Sequence, residues 1–523
     1  MPFYNLVAEL SYFYVFLKII IRQKQLLGKF VNVNRILILC MLSFLAWSSI
    51  AQAQQIFISD PQKISTELIG YNILGKNKNG DVLIYKKYRF EDEIDIYDKQ
   101  MSFKRRKEIT IRSLDYETVE VYKTGDNIYH FYTHKDNKMQ YLSVQHYNSD
   151  LEKKGVPVLL DSTSQKLGDS FTEFKITKAN TSPYYLIYKY ELSAGRIDKL
   201  FLLVMDAETK IQQKNDINLP DDGYSPILVK EMITDEGQPI FLFENDDFNC
   251  KKDKTVTQYT FVFPKNGNTW VSTNINGGDY CLDEMNYAFD VLNNKLTAIC
   301  FLKDDNKDYM IGYKYLTIDI YSATIGTNFN YFYPTETLDE IAGLTKEKSI
   351  KNLPVYQIGS IIPRVDGGAL MVAEYYDKTV ENYEYTNYDP YYGYRTSSRQ
   401  VEFYEYDDIL LFSIQPNGSP NWNTVIRKKQ LSREDRGVNS SYAILKGKEK
   451  LIFIFNEDVE QNSNVLQYET TADGVLDRKS LFNPNQQEVQ IRPLSAEQIS
   501  ANEIIIPSIY KKNLSFVKLQ IQK

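Results

Sequence analysis

The stretch ILLFSIQPNGSPNW, Ile409 to Trp422, is an alternating strand that enters a Pro/Asn/Gly turn and leaves at a tryptophan. TFVFPKNGNTW (Thr260 to Trp270) and QYETTADGVLD (Gln467 to Asp477) repeat the device: two period-two segments joined through a Gly-centred hairpin. A second phrase stands upstream of two of them. IFLFENDD (Ile240 to Asp247) and IFIFNEDV (Ile452 to Val459) are apolar strands that end in acidic turns. Strand, acidic loop, strand and hairpin in a fixed order is the pattern of radial or stacked repeats. It confines the chain to an all-β fold built from copies of one small sheet.

Dividing the chain at its turn residues gives units of about 45 to 50 residues, the length of a four-stranded propeller blade. Five fall at 64–111, 117–161, 171–219, 227–275 and 287–333; a sixth, 356–428, is longer because an insertion separates its second and third strands, and a seventh, 442–481, is shorter. The remainder, 487–521, supplies three strands, and QQIFISD (Gln54 to Asp60) would complete it as the outer strand of a shared last blade. Eight blades are expected, or seven if that last sheet is incomplete. Inner strands such as KLIFIF and PIFLF are apolar on both faces, as sheets packed between two neighbours require. Linkers rich in Pro, Gly or Ser, which tandem sandwiches would need, are missing. A single β-propeller domain over 54–523 follows. Thr337 and Glu340 have capping-box spacing and predict one or two helical turns within 335–352.

The first 53 residues read as an upstream extension and an export signal. Lys29 and Arg35 precede the apolar run Ile36 to Trp47, and Ala51-Gln52-Ala53 fits signal-peptidase cleavage after Ala53. Leu39 stands where a lipoprotein signal before Cys40 needs a small residue, so no lipid anchor is expected. The earlier apolar run, Leu6 to Ile21, holds Glu9 and Lys18, each costing about 2.5–3.5 kcal/mol at mid-membrane. We read it as preceding the true start, with a membrane hairpin as the alternative. The mature domain is expected in the periplasm, the cell envelope or the medium, without membrane insertion. With 61 Lys+Arg against 68 Asp+Glu, the chain has a net charge of -7 and no basic footprint for nucleic acid.

The mature region resembles exported bacterial β-propeller repeat proteins, through hairpins of the PNGSPNW kind with a Trp entering the fourth strand. That resemblance implies a ligand platform or a propeller enzyme. PKNGNTW also resembles the tail of the sialidase Asp box: Gly267, Thr269 and Trp270 match, while Phe263 and Lys265 replace its Ser and Asp. The box is structural in that family, so the likeness implies a propeller hairpin more than glycoside cleavage.

Few residues offer chemistry. The three histidines, His130, His134 and His146, lie in strand surroundings, where the i, i+4 pair His130 and His134 stands about 13 Å apart, too far to share a zinc ion. Asp304, Asn306 and Asp308 alternate like calcium-loop ligands, but Tyr309 occupies the place of the turn glycine. Calcium is the one cofactor this pattern leaves open, and a solvated turn is the simpler reading. Cys250 and Cys281 fall in loops on one face of adjacent blades and can form a disulfide; Cys300 reads as a buried thiol. The insertion Tyr375 to Arg399, between the second and third strands of the sixth unit, carries Tyr383, Tyr385, Tyr388, Tyr391, Tyr392 and Tyr394 beside Arg395. Tyrosines give rigid amphipathic contact area, which suits a protein or glycan partner. A non-catalytic binding or scaffolding module is therefore expected, with a propeller enzyme acting on polysaccharide as the alternative.

Overall fold

The computed structural model describes residues 55–109, 111, 116–164, 173–193, 196–219, 226–245, 257–266, 269–304, 310–343, 356–461 and 464–521. Their strands form eight antiparallel sheets, seven of which pair four strands in chain order. Blade 1 runs from Leu68 to Glu108, blade 2 from Tyr116 to Ser164, blade 3 from Lys175 to Asn218 and blade 4 from Pro226 to Ile275. Blade 5 runs from Cys281 to Phe332, blade 6 from Tyr356 to Arg433 and blade 7 from Ala443 to Phe482. Blade 8 takes Glu497–Ser500, Glu503–Tyr510 and Asn513–Gln520 from one end of the chain and Gln55–Ile58 from the other. Gln62–Lys63 pairs with the same C-terminal strand.

First strands of neighbouring blades touch: 1 with 2, 2 with 3, 3 with 4, 5 with 6, 7 with 8, and 8 with 1. They stand round a common axis, and the last contact closes the ring. The chain is a β-propeller of eight blades, and the unit Ile56–Gln520 holds all of them but Gln55, the first residue of the N-terminal strand. The segment 1–54, with the expected export signal, lies outside the described residues. No described helix is long and apolar enough to cross a membrane.

Each blade buries its middle strands between two neighbours. Pro239–Asn245 and Lys450–Asn456 are almost wholly buried, whereas the fourth strand of blade 1, Phe103–Glu108, is exposed along its length. The apolar clusters therefore lie between blades. One joins Leu83 and Ile96 of blade 1 to Val121 and Tyr147 of blade 2, and another joins Leu411 and Ile426 of blade 6 to Phe453 and Leu466 of blade 7. Burial of this kind is worth roughly 1.5–3 kcal/mol per large side chain.

The Gly-centred hairpins explain how one blade finds the next. Gly418 and Gly474 sit at φ +90° and +84°, where a side chain is strained. Each also lies under an aromatic ring of the preceding blade. A Cβ at Gly418 would stand 2.5 Å from Phe329, and one at Gly474 would stand 2.7 Å from the ring of Trp422. The Trp422 indole N–H donates to the Ala472 carbonyl at 2.8 Å, so the repeated Trp staples blade 6 to the turn of blade 7.

The closing seam between blades 8 and 1 is polar as well as apolar. Ser59 N–H donates to the Phe516 carbonyl at 3.0 Å, and Phe516 N–H donates to Ser59 Oγ at 2.9 Å. The Phe516 ring meets Tyr71 and Tyr97 of blade 1 at 5.9 and 6.0 Å. Beside them Lys86 Nζ contacts Asp95 at 2.6 Å with both side chains buried, and Arg106 grips the same carboxylate at 2.6 and 3.1 Å. Gln62, from the N-terminal segment, accepts from Lys86 and donates to Tyr97.

Six of the eight first strands carry a register shift of the β-bulge kind. The register shifts fall at Leu68/Gly70, Thr118/Glu120, Leu228/Lys230, Asp283/Asn286, Ile358/Ser360 and Gln498/Ser500. A bulge re-aims the side chains beside it. In blade 4 the residue just past the bulge, Lys230, reaches Asn286 on the neighbouring first strand at 2.6 Å, and Asn286 in turn donates to the Ile358 carbonyl at 2.7 Å.

Three local expectations are corrected. Blade 5 begins at Cys281 rather than Tyr287, because its bulged first strand breaks the alternation that marks a strand in sequence. Blade 6 ends at Arg433, five residues beyond the expected Lys428, because its fourth strand follows an elongated third strand. The helix occupies Thr335–Ala342 and is preceded by Pro334, which makes no side-chain cap; Thr337 lies buried inside it rather than capping it.

Candidate functional site

The insertion in blade 6 is a β-ribbon, not a loop. Its strands, Ala369–Asp389 and Gly393–Ile414, stay in antiparallel register from Tyr376↔Tyr406 to Asp389↔Gly393. Pairing to the first strand stops at Tyr356↔Tyr375 and pairing to the fourth at Phe403↔Arg433. Beyond those points, 380–389 and 393–402 form a two-stranded projection about 33 Å long at ~3.3 Å per residue. The sequence does not mark the insertion as strand, because this stretch lacks the alternating apolar face that is the usual sign of one.

Period-two geometry then divides the tyrosines. Tyr383 opposes Arg399, Tyr385 opposes Ser397 and Asn387 opposes Arg395, so these share one face. Tyr388 and Tyr394 oppose each other on the other face, with ring centroids 5.3 Å apart in an edge-to-face pair, next to the Thr386–Thr396 pair at 3.2 Å. Tyr391 and Tyr392 occupy the tip, and the Arg395 guanidinium lies 4.1 Å from the Tyr392 ring centroid. All six tyrosines are exposed, from 46% at Tyr385 to 93% at Tyr391. The ribbon is braced at its root by Lys378–Glu402 at 2.8 Å and by an Arg399–Glu434 ion pair. It offers two faces and a tip rather than a single flat patch.

A second polar region surrounds the axis, and sequence reasoning missed it because its residues come from separate blades. Lys123, Lys178, Lys230 and Lys446 belong to the first strands of blades 2, 3, 4 and 7. Glu120, Glu231 and Glu497 belong to those of blades 2, 4 and 8. Short bonds knit these strands together: Asn72 to Glu120 at 3.3 Å, Thr177 to Glu231 at 3.0 Å, and Lys446 N–H to Gln498 at 3.0 Å. Burial pushes the Lys230 ammonium down to about 8, with the Lys446 charge adding to the effect and Glu231 opposing it. Burial also lowers Lys123, Lys178 and Lys446 and raises Glu120 and Glu497.

The other expected residues have plainer places. His130 is fully buried against Thr118 Oγ1 at 2.7 Å, and burial holds it down to about 4. His134 stacks between Tyr116 and Tyr141, and His146 stacks on Tyr129 at 4.8 Å, so all three rings serve packing in blade 2. Cys281 is disulfide-bonded, while Cys250, the partner expected for it, lies outside the described residues. Cys300 is a free, buried thiol that burial pushes up to about 12. Of the calcium pattern only Asp304 is described; Asn306 and Asp308 lie outside the described residues. Near the start of the blade 5 first strand, burial, with Asp283 and Glu244 adding negative charge, raises Glu284 to about 7.

No family model matches the chain, and no curated protein matches it. Solved structures do. A prolyl endopeptidase shares 10% identity at a TM-score of 0.37, over 87% of this chain and 55% of that one. The Nup133 β-propeller domain of Vanderwaltozyma polyspora shares 9% identity at 0.35, over 77% and 100%. The AfRom2 CNH domain shares 8% identity at 0.32, over 90% and 100%. The chain spans a little over half the length of the peptidase it matches.

Proposed function

We propose that this chain is an exported, non-catalytic binding or scaffolding propeller that recognises a protein or a glycan through the blade 6 ribbon. The observation that carries the reading is the two-stranded projection 380–402, which displays six exposed tyrosines beyond the reach of the blade's first and fourth strands. An isolated two-stranded ribbon is marginal in water, and tyrosine contact area on a partner would stabilise it. Export is supported by the disulfide at Cys281, since such bonds persist in oxidising compartments, and by the charged, apolar and small-residue series that ends at Ala53.

The test replaces Val380–Glu402 by an Asn-Gly turn and compares both proteins on glycan arrays and on immobilised envelope proteins. Loss of the bound species, with the melting temperature within about 4 °C of the parent, is expected. Retention of all binding by the trimmed protein would contradict the reading.

The competing reading, a propeller enzyme acting on polysaccharide, has one observation in its favour. Glu284 is a carboxyl held near neutrality beside Asp283, as a general acid requires. Turnover of a polysaccharide by the full chain, lost in Glu284→Gln, would favour it over the binding module.

A further inference from the structure

We propose that the cleft between the first hairpins of blades 6 and 7 binds a neutral sugar, one or two pyranose rings at the end of a glycan.

The cleft opens on the face opposite the ribbon, because the turn 364–368 that flanks it ends the strands of blade 6 away from the projection. It measures about 450 Å³, within the roughly 300–1,000 Å³ of small-ligand sites, and every residue that lines it is among those described. Buried Leu370, with Ile362 and Leu451, gives it apolar walls. Trp422 adds its ring to them. Gly474 packs under that ring and the indole N–H is already bonded to Ala472, so Trp422 has no polar group left to offer and contributes apolar surface alone. The polar groups are few and held in place. The Arg364 guanidinium bonds Asp366 at 2.6 Å and Ser413 Oγ, and its turn is tied to blade 5 by Lys295, which donates to the Gly367 carbonyl at 2.7 Å. Lys450 is paired with Glu469, while Lys448 and Glu449 stand exposed on the opposite turn. A site fixed before its ligand arrives loses little to ordering on binding.

Two features decide the ligand class. The charges cancel, Arg364 with Asp366, Lys450 with Glu469 and Lys448 beside Glu449, so neither an anion nor a cation is drawn in. An apolar side chain in the cleft would strip water from Arg364, Asp366 and Ser413 and return no hydrogen bond, which is costly. A pyranose meets both conditions. Its C–H face can lie on Trp422, Leu370 and Leu451, while its hydroxyls donate to Asp366 and accept from Arg364 and Lys448. Hydrogen bonds with charged side chains are the stronger kind, so a few of them suffice to orient the ring.

The proposal does not rest on the ribbon, and its test separates the two. Saturation-transfer NMR on the purified full chain, with cellobiose, maltose and N,N′-diacetylchitobiose each at millimolar concentration, is expected to show transfer to the ring C–H protons of at least one. Affinity for that sugar should fall at least about tenfold in Arg364→Met and in Trp422→Phe. Arg364→Met alters a partly exposed side chain and keeps the fold, so it preserves the test should Trp422→Phe unfold. Binding should persist when Val380–Glu402 is replaced by an Asn-Gly turn, and glucuronate and glucosamine should bind no better than glucose. No transfer to any of the three disaccharides would overturn the site. So would equal binding by the parent and both cleft variants, a preference for either charged sugar, or loss of binding with the ribbon, which would put the sugar there instead.

Discussion

Asp95 shows how single residues set the strength of the seam. Burial alone would raise its carboxyl, but hydrogen bonds from Arg106 and Lys86 outweigh that and hold it below the usual carboxylate range. Asp95→Ala leaves the buried Lys86 without its carboxylate, and we expect a loss of about 3–5 kcal/mol in urea unfolding. Lys86→Met should cost less, because Asp95 keeps both contacts from Arg106. The sign of the pH effect follows from the depressed folded value. The Asp95 contribution is full above the ordinary 3.8 and disappears as pH falls through the lower folded value. His130 acts in a higher window. Its folded value is near 4 against an ordinary 6.5, so between these the unfolded chain binds the proton and the folded chain does not. Stability should fall by up to ~3 kcal/mol as pH drops from 6.5 to 4, and His130→Gln should flatten that slope in pH-dependent denaturation.

At the scale of elements, the hairpins behave as docking parts rather than mere connections. Gly418→Ala and Gly474→Ala each force a Cβ into a ring of the preceding blade at a left-handed backbone position. About 1–3 kcal/mol of destabilisation is expected from each in chemical denaturation; a neutral result would show that the rings give way freely. These hairpins were legible in the sequence because Pro, Asn and Gly write the turn locally, and the apolar runs IFLF and IFIF mark the buried second strands without reference to the rest of the chain. The ribbon was less legible. Tyr383 with Tyr385 and Tyr392 with Tyr394 carry a period of two, but no apolar residues alternate with them to show a buried face. The bulged first strand of blade 5 hid for the opposite reason, since Glu284 and Met285 interrupt a period that resumes at Asn286. The first-strand lysines were invisible for a third: Lys178 and Lys446 stand on the first strands of blades 3 and 7, which only the assembly of the blades brings round one axis, and no local pattern records that.

For the whole molecule, the ring is closed by the two ends of the chain sharing blade 8. QQIFISD was readable as a spare strand and the C-terminal segment as a sheet one strand short, so the closure could be expected from counting. Its chemistry, with Ser59 bonded twice to Phe516 and Gln62 wedged between Lys86 and Tyr97, belongs to the fold alone. Phe516→Ala should cost about 3–5 kcal/mol, a large share of typical domain stability, because that ring serves blade 8 and blade 1 together. Hydrogen–deuterium exchange of the full chain, followed in peptides covering 55–63 and 503–520, tests the closure most directly. Protection of 55–59 for as long as the central strand Glu503–Tyr510 is expected, and exchange of 55–59 at the rate of an unpaired chain end would contradict closure through blade 8.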